Sequence, residues 1–195
     1  MKNVLFSHIG DAVKILKLDE GKMLEVSGKK NSTQWGIVIL LVPPVINLIL
    51  AALAFPSGFG VIFSRFLFWP IFVPVISLAS VIFFVSFIAQ KSFGGKGDNI
   101  GFFRTMAYSS LVLWISVIPF LLSLFGIIDA MSVYNLVSIV ALAWMFVVAH
   151  KMLVSYHKLN RHDVVFALIV GIVSYFVAAA IFGRIFVGRA YRLLY

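Results

Sequence analysis

Residues 94–104 read GGKGDNIGFFR and residues 105–128 read TMAYSSLVLWISVIPFLLSLFGII. The first piece is a basic, glycine-rich loop. The second is free of charge and long enough for a helix to cross the roughly 30 Å hydrocarbon core of a bilayer. Two comparable apolar runs precede this stretch and two follow it, so its reading decides the reading of the whole chain. Hydrophobic residues make up 62% of the 195 positions and charged residues 12%, with a mean hydropathy of +1.08. A soluble domain is roughly half apolar and about a quarter charged. The expected fold is all-α: a polytopic integral membrane helical bundle with five transmembrane helices.

Spans are expected at about 35–55, 66–90, 105–128, 133–149 and 164–182, which leaves one membrane domain, 35–195, behind a polar arm, 1–34. In the arm Leu5, Ile9, Val13 and Leu16 recur at helical spacing, with Lys14 and Lys17 toward another face. That pattern fits an interfacial amphipathic helix, or equally an ordered arm with no membrane role. Asp19-Glu20-Gly21 reads as a turn, and Asn31-Ser32-Thr33 as the N-cap of the first span. No cleaved leader is expected, because the apolar run behind the arm exceeds the roughly 7–15 residues of a signal core. Span one carries Pro43-Pro44, which remove helical hydrogen bonds, and Asn47 one turn on is a candidate partner for the carbonyls so freed. Pro56-Ser57-Gly58 turns the chain toward span two. Spans three and four fill the interval so completely that Asp129 to Ser132 has to be a tight turn.

Orientation follows from Lys and Arg. The arm holds six, the loop before span three holds Lys91, Lys96 and Arg104, and the loop before span five holds Lys151, Lys158 and Arg161. Arg65, Arg184, Arg189 and Arg192 fall on the other side. Twelve against four places the N-terminus inside and the C-terminus outside. The three tail arginines count against this, unless they snorkel from an extended last helix or the tail folds back along the interface. The formal net charge of +9 sits beside apolar spans, where anionic lipid headgroups are the expected partner and nucleic acid is not. Lys29, Lys30, Lys91, Lys96, Arg104, Lys158 and Arg161 are the candidate contacts for such lipid or for a partner protein.

Within the spans, Ser109, Ser116 and Ser123 repeat every seven residues beside Tyr108 and Pro119. They are a candidate groove, or more simply hydroxyls bonded within their own helix at about 0.6 kcal/mol each. No span carries an ionisable residue at mid-depth, which argues against a proton-coupled pump. In span five Ala167, Gly171, Ser174 and Ala178 share a face suited to close helix packing, internal or between two copies of the chain. His157, His162 and Asp163 share a loop but lack the spacing of a metal site, and there is no Cys. Gly94-Gly95-Lys96-Gly97-Asp98 lacks the spaced glycines and Lys-Ser/Thr ending of a phosphate loop, so it reads as a flexible connector. No nucleophile elbow or carboxylate pair is visible. The expectation is a non-enzymatic protein without catalytic, cofactor-binding or metal residues.

The Gly94-Gly95 loop, the Ala107-Tyr108-Ser109 opening of span three with Pro119 beyond it, and Trp144 ahead of a basic loop together resemble the Yip-domain family of five-span membrane proteins with a cytoplasmic arm. Leu5 to His8 (LFSH) and Ala190 to Tyr195 (AYRLLY) are similar to its small bacterial inner-membrane branch. Asn47, Ser116 and Trp144 are further helix-packing or groove candidates. The resemblance implies a role in organising membrane lipid or partner proteins. In eukaryotic members that role includes binding Rab-type GTPases through an Asp-Leu-Tyr-Gly-Pro motif. Here Phe68-Trp69-Pro70 stands at that place with no acidic residue, so GTPase binding is not implied. The rival expectation is a small solute or ion transporter or channel subunit, since proline-broken helices often line substrate sites.

Overall fold

The computed structural model describes residues 2–54, 69–126 and 130–194. The turn expected at Pro56-Ser57-Gly58, Arg65 and Phe68 before the second span, and Asp129 of the expected tight turn lie outside the described residues, whereas Ala130 to Ser132, expected in that turn, are already helical. The elements are α1 (Lys2–Leu16), α2 (Glu20–Gly28), α3 (Ser32–Ala54), α4 (Trp69–Lys91), α5 (Asn99–Ser109), a 3-10 helix (Ser110–Ser116), α6 (Val117–Leu124), α7 (Ala130–Ser155) and α8 (Arg161–Leu194). Among the described residues every regular element is a helix and there is no strand.

Among the described residues four helical stretches are long and apolar enough to cross a membrane: Ser32–Leu50, Asn99–Pro119, Val133–Ser155 and Arg161–Ile181. Val75–Lys91, within α4, is a shorter apolar helix. Large apolar side chains such as Ile49, Phe83, Ile118, Ile139, Phe166 and Phe176 are exposed along these helices. In water that surface would drive aggregation, whereas against acyl chains it is the expected exterior of a membrane-integral bundle.

The arm is part of the core. Asp19 does not form a free turn: it caps α2, its side chain accepting from the Lys22 amide at 2.9 Å. Ala12 and Ile15 of α1 and Met23 and Val26 of α2 are fully buried in one cluster with Phe102, Tyr108, Met145 and Met152. The inward face of α1 is therefore Ala12–Ile15, while of the expected amphipathic stripe Leu5 and Val13 stay exposed and Ile9 and Leu16 are half-buried. Lys22 pairs with Asp11 at 3.2 Å, Lys29 with Glu25, and Lys151 with Glu20 at 3.0 Å, the last tying α2 to α7. Lys22 and Lys29 hold the Glu25 carboxyl down at about 2.

The third span starts earlier than Thr105, because Asp98 caps α5 through the Gly101 amide at 2.7 Å. Its middle is not regular α-helix but a 3-10 segment, and Val117–Leu124 resumes the α form. Helix α4 lies along α8, whose 34 residues give a length of about 50 Å. Helix α8 continues unbroken through the tail to Leu194, as in the extended-helix reading rather than the folded-back one.

Candidate functional site

The most elaborate polar construction sits where the ends of α4, α5, α7 and α8 meet, in the two basic loops. The glycine-rich loop is a saddle on which Tyr156 and His157 sit. Tyr156 donates from its hydroxyl to Asp98 Oδ2 at 2.5 Å and accepts from the Asp98 amide at 3.3 Å. A Cβ on Gly97 would lie 2.4 Å from the ring of Tyr156, and one on Gly101 would lie 2.1 Å from its hydroxyl. No side chain fits at either place, so glycine is required for close approach rather than for flexibility. The loop is pinned at both edges: Gly95 N–H donates to Ala89 at 2.8 Å, and Lys96 N–H donates to the His157 carbonyl at 3.0 Å. Gln90 also donates through Nε2 to the Gly97 carbonyl. The expected flexible connector is thus a fitted element.

Beneath the saddle His157 is 1% exposed. Ser86 Oγ donates to Asn99 Oδ1 at 2.7 Å, which leaves it to accept from His157 Nε2 at 3.2 Å. His157 Nδ1 has no partner and faces Gly95, and Phe102 packs edge-on against the ring at 5.4 Å. Burial lowers the His157 pKa to about 4, against an upward pull from Asp98. For Asp98, burial works against the charge, but hydrogen bonds from Tyr156 and the Gly101 and Ile100 amides together hold its carboxyl below the ordinary value. Tyr156 is pushed up, first by burial and then by Asp98. Ser86, His157 and Asn99 resemble a relay only in composition. The serine proton is directed to the amide and the imidazole is walled off, so the contacts tie α4 to α5 and to the loop after α7.

The candidate bases separate into two kinds. Arg104 is committed to the fold: Nε donates to Thr33 Oγ1 and Nη1 to the Ser27 carbonyl, both at 2.8 Å, which clamps α2 and α3 onto α5. Lys29 is held by Glu25. Lys30, Lys91, Lys96, Lys158 and Arg161 are exposed and, among the described residues, carry no ion pair. His162 points to solvent 3.7 Å from Asp163, away from buried His157, so the histidines of that loop do not converge. Among the described residues no three His, Cys, Asp or Glu side chains gather as a metal-binding group.

The groove candidates fall elsewhere. Ser109 and Ser116 are buried and donate to the carbonyls three residues earlier, Met106 and Leu113, as hydroxyls bonded within their own helix. Pro119 is buried in α6, and the side chain of Ser123 is outside the described residues. Asn47 does not serve the proline-freed carbonyls: its Nδ2 donates to Ser116 Oγ at 2.9 Å, and its buried Oδ1 has no partner. The carbonyl that Pro43 frees is Ile39, four residues earlier, and Trp114 meets it through Nε1 at 3.1 Å. Tyr108 is buried, its hydroxyl 2.6 Å from His8 Nδ1, and His8 stacks on Trp35 at 4.8 Å. Burial lowers the His8 pKa, Asp11 opposes that shift and Lys29 adds to it. Half-exposed Trp144 donates to the Leu16 carbonyl at 3.1 Å, a second strap on the arm. Gly171 is covered by Val85 of α4, and Ser174 and Ala178 continue that face half-buried.

Residue reasoning alone overlooked Tyr156, Asp98, Ser86, Asn99 and Trp114. One signal was present: Gly97 and Gly101 flank a capping Asp98, a spacing with no purpose in a free linker. No protein-family model, no curated protein and no solved structure matches the chain.

Proposed function

We propose that this protein is a non-enzymatic, five-span membrane scaffold of the Yip type that organises anionic lipid or a membrane protein partner through its basic end. In this reading α4 is the fifth span, its 23 residues over Trp69–Lys91 matching the others in length. The basic end lies in the cytoplasm, at the inner membrane of a bacterium, with the far end of α8 outside. The observation that carries the reading is the gathering of exposed, unpaired Lys30, Lys91, Lys96, Lys158 and Arg161 at one end of an otherwise apolar bundle. Juxtamembrane bases of this kind attract an anionic leaflet at about 1 kcal/mol each. The polar groups nearest them are spent on packing, which leaves the surface charge as the functional feature.

The test is to excise the protein from its native membrane in polymer discs and quantify the accompanying lipids by mass spectrometry. The scaffold reading expects anionic lipid enriched over the bulk membrane, or a stoichiometric partner protein. Bulk lipid composition around a lone protein would count against it. The transporter reading draws on one observation, the irregular middle of span three beside the unpartnered Asn47 Oδ1, since broken helices line transport sites. Solute or ion flux above that of empty liposomes would favour it.

A further inference from the structure

The two loops of the basic end are built into a single surface. Lys96 N–H bonds to the His157 carbonyl, so Lys96 and Lys158 flank one backbone hydrogen bond. Phe93 of the first loop packs against Phe166 of α8 with ring centroids 5.6 Å apart, which brings the end of α4, with Lys91, beside the start of α8, with Arg161. The acids nearby are spoken for. Asp98 is held by Tyr156 and the Gly101 amide, and Asp163 accepts from Asn160 Nδ2 at 2.6 Å. Lys158 sits at φ 58, a left-handed turn that presents its exposed side chain at the loop tip. Running away from Arg161 down α8, Val165, Ile169, Ile172 and Phe176 follow at spacings of four, four, three and four, and every one is exposed.

We infer that this surface is a binding site for one anionic phospholipid, its phosphate among Lys91, Lys96, Lys158 and Arg161 and an acyl chain along the Val165–Phe176 stripe of α8. The inference rests on the scaffold reading and narrows it to one place and one ligand chemistry. Charge complementarity selects the head, and the apolar stripe directly beneath selects a lipid over a free phosphate. Lys22 and Lys29 of the arm are already paired with carboxylates and are not part of this site.

The experiment places the intact protein in nanodiscs containing phosphatidylglycerol with a photoactivatable acyl chain and maps the crosslinks by mass spectrometry. Crosslinks are expected to concentrate within Val165–Phe176. The combined Lys91→Gln, Lys96→Gln, Lys158→Gln and Arg161→Gln variant should lower them by about tenfold or more. Lys14→Gln and Lys17→Gln together should leave them unchanged, as should the set Lys91→Arg, Lys96→Arg and Lys158→Arg. Equal losses in the loop and arm variants, or loss in the arginine set, would overturn this site while leaving the scaffold reading standing. No loss in any variant would remove both this site and the lipid half of the scaffold reading. Competition by millimolar inorganic phosphate would identify a soluble anion as the ligand and overturn the lipid assignment.

Discussion

The basic end and the opposite half of the bundle are held together in different ways. At the basic end, residues far apart in sequence are joined by specific hydrogen bonds: Tyr156 to Asp98, Arg104 to Ser27 and Thr33, Thr105 to the Met23 carbonyl, Trp144 to Leu16. Most of the buried core lies there too, including four residues of the arm. Toward the other end the described contacts thin to Asn47 with Ser116, Trp114 with Ile39, and a small cluster of Leu50, Ile46, Val117 and Tyr134. The contrast has a physical source. At the aqueous end water drives apolar burial, so α1 and α2 fold onto the bundle. Inside lipid that drive is absent, and only close packing and scattered polar latches hold helices together. The same contrast explains where irregular backbone is tolerated. At the break made by Pro43 a protein partner stands beside the freed carbonyl, Trp114 donating to Ile39.

Acid should break the basic end first. His157 has a native pKa near 4, below its ordinary 6.5, so the folded state binds fewer protons than the unfolded state between those values. Stability is therefore fully present above about pH 6.5 and declines as pH falls toward 4, by about 3 kcal/mol at most. His8, also lowered, acts in the same direction. Unfolding in detergent across this range, compared with His157→Asn, should show the slope flattened in the variant. An unchanged slope would mean that His157 is not the buried proton-excluding group.

Gly97→Ala should cost about 2–3 kcal/mol, because its methyl group would enter the ring of Tyr156. Combined with Tyr156→Ala the two losses should fall short of additive, since the clash disappears. Additive losses would separate the glycine from the tyrosine. In the membrane interior Gly171→Ala should cost about 2 kcal/mol through Val85 Cγ2 at 2.4 Å, and Val85→Ala should relieve most of it. Substantially less would mean that α4 and α8 slide apart easily. Trp114→Phe has the smallest expected effect, about 0.6 kcal/mol, and it should vanish in a Pro43→Ala background, where a backbone N–H again reaches Ile39. Equal costs in both backgrounds would detach Trp114 from the proline break.

The sequence was most informative where information is local. Charge-free runs announced the long helices, Asn31-Ser32-Thr33 marked the start of α3, and small residues marked the α8 face that Gly171 lays against α4. Capping by Asp19 and Asp98 was equally local, yet the glycines beside each made a turn or a linker the simpler reading. The saddle was hidden because its reason lies across the chain: Gly97 and Gly101 are shaped by Tyr156, and nothing near residue 97 points to residue 156. Trp114 could be matched to Ile39 only once the helices were placed. The docking of the arm was obscured because α1 is apolar on more than one face, and periodicity selected Leu5 and Val13 where packing selected Ala12 and Ile15.

In the proposed orientation the saddle and the unpaired bases sit on the cytoplasmic side of a membrane that the bundle crosses. With no native cysteine, single replacements report cleanly. Ser132→Cys lies at the start of α7 and Lys96→Cys on the saddle, at opposite ends of the described bundle. In intact cells a membrane-impermeant maleimide should label Ser132→Cys at once and Lys96→Cys only after lysis. The reverse order would invert the orientation, and labelling of both before lysis would contradict a membrane-spanning bundle with its basic end inside.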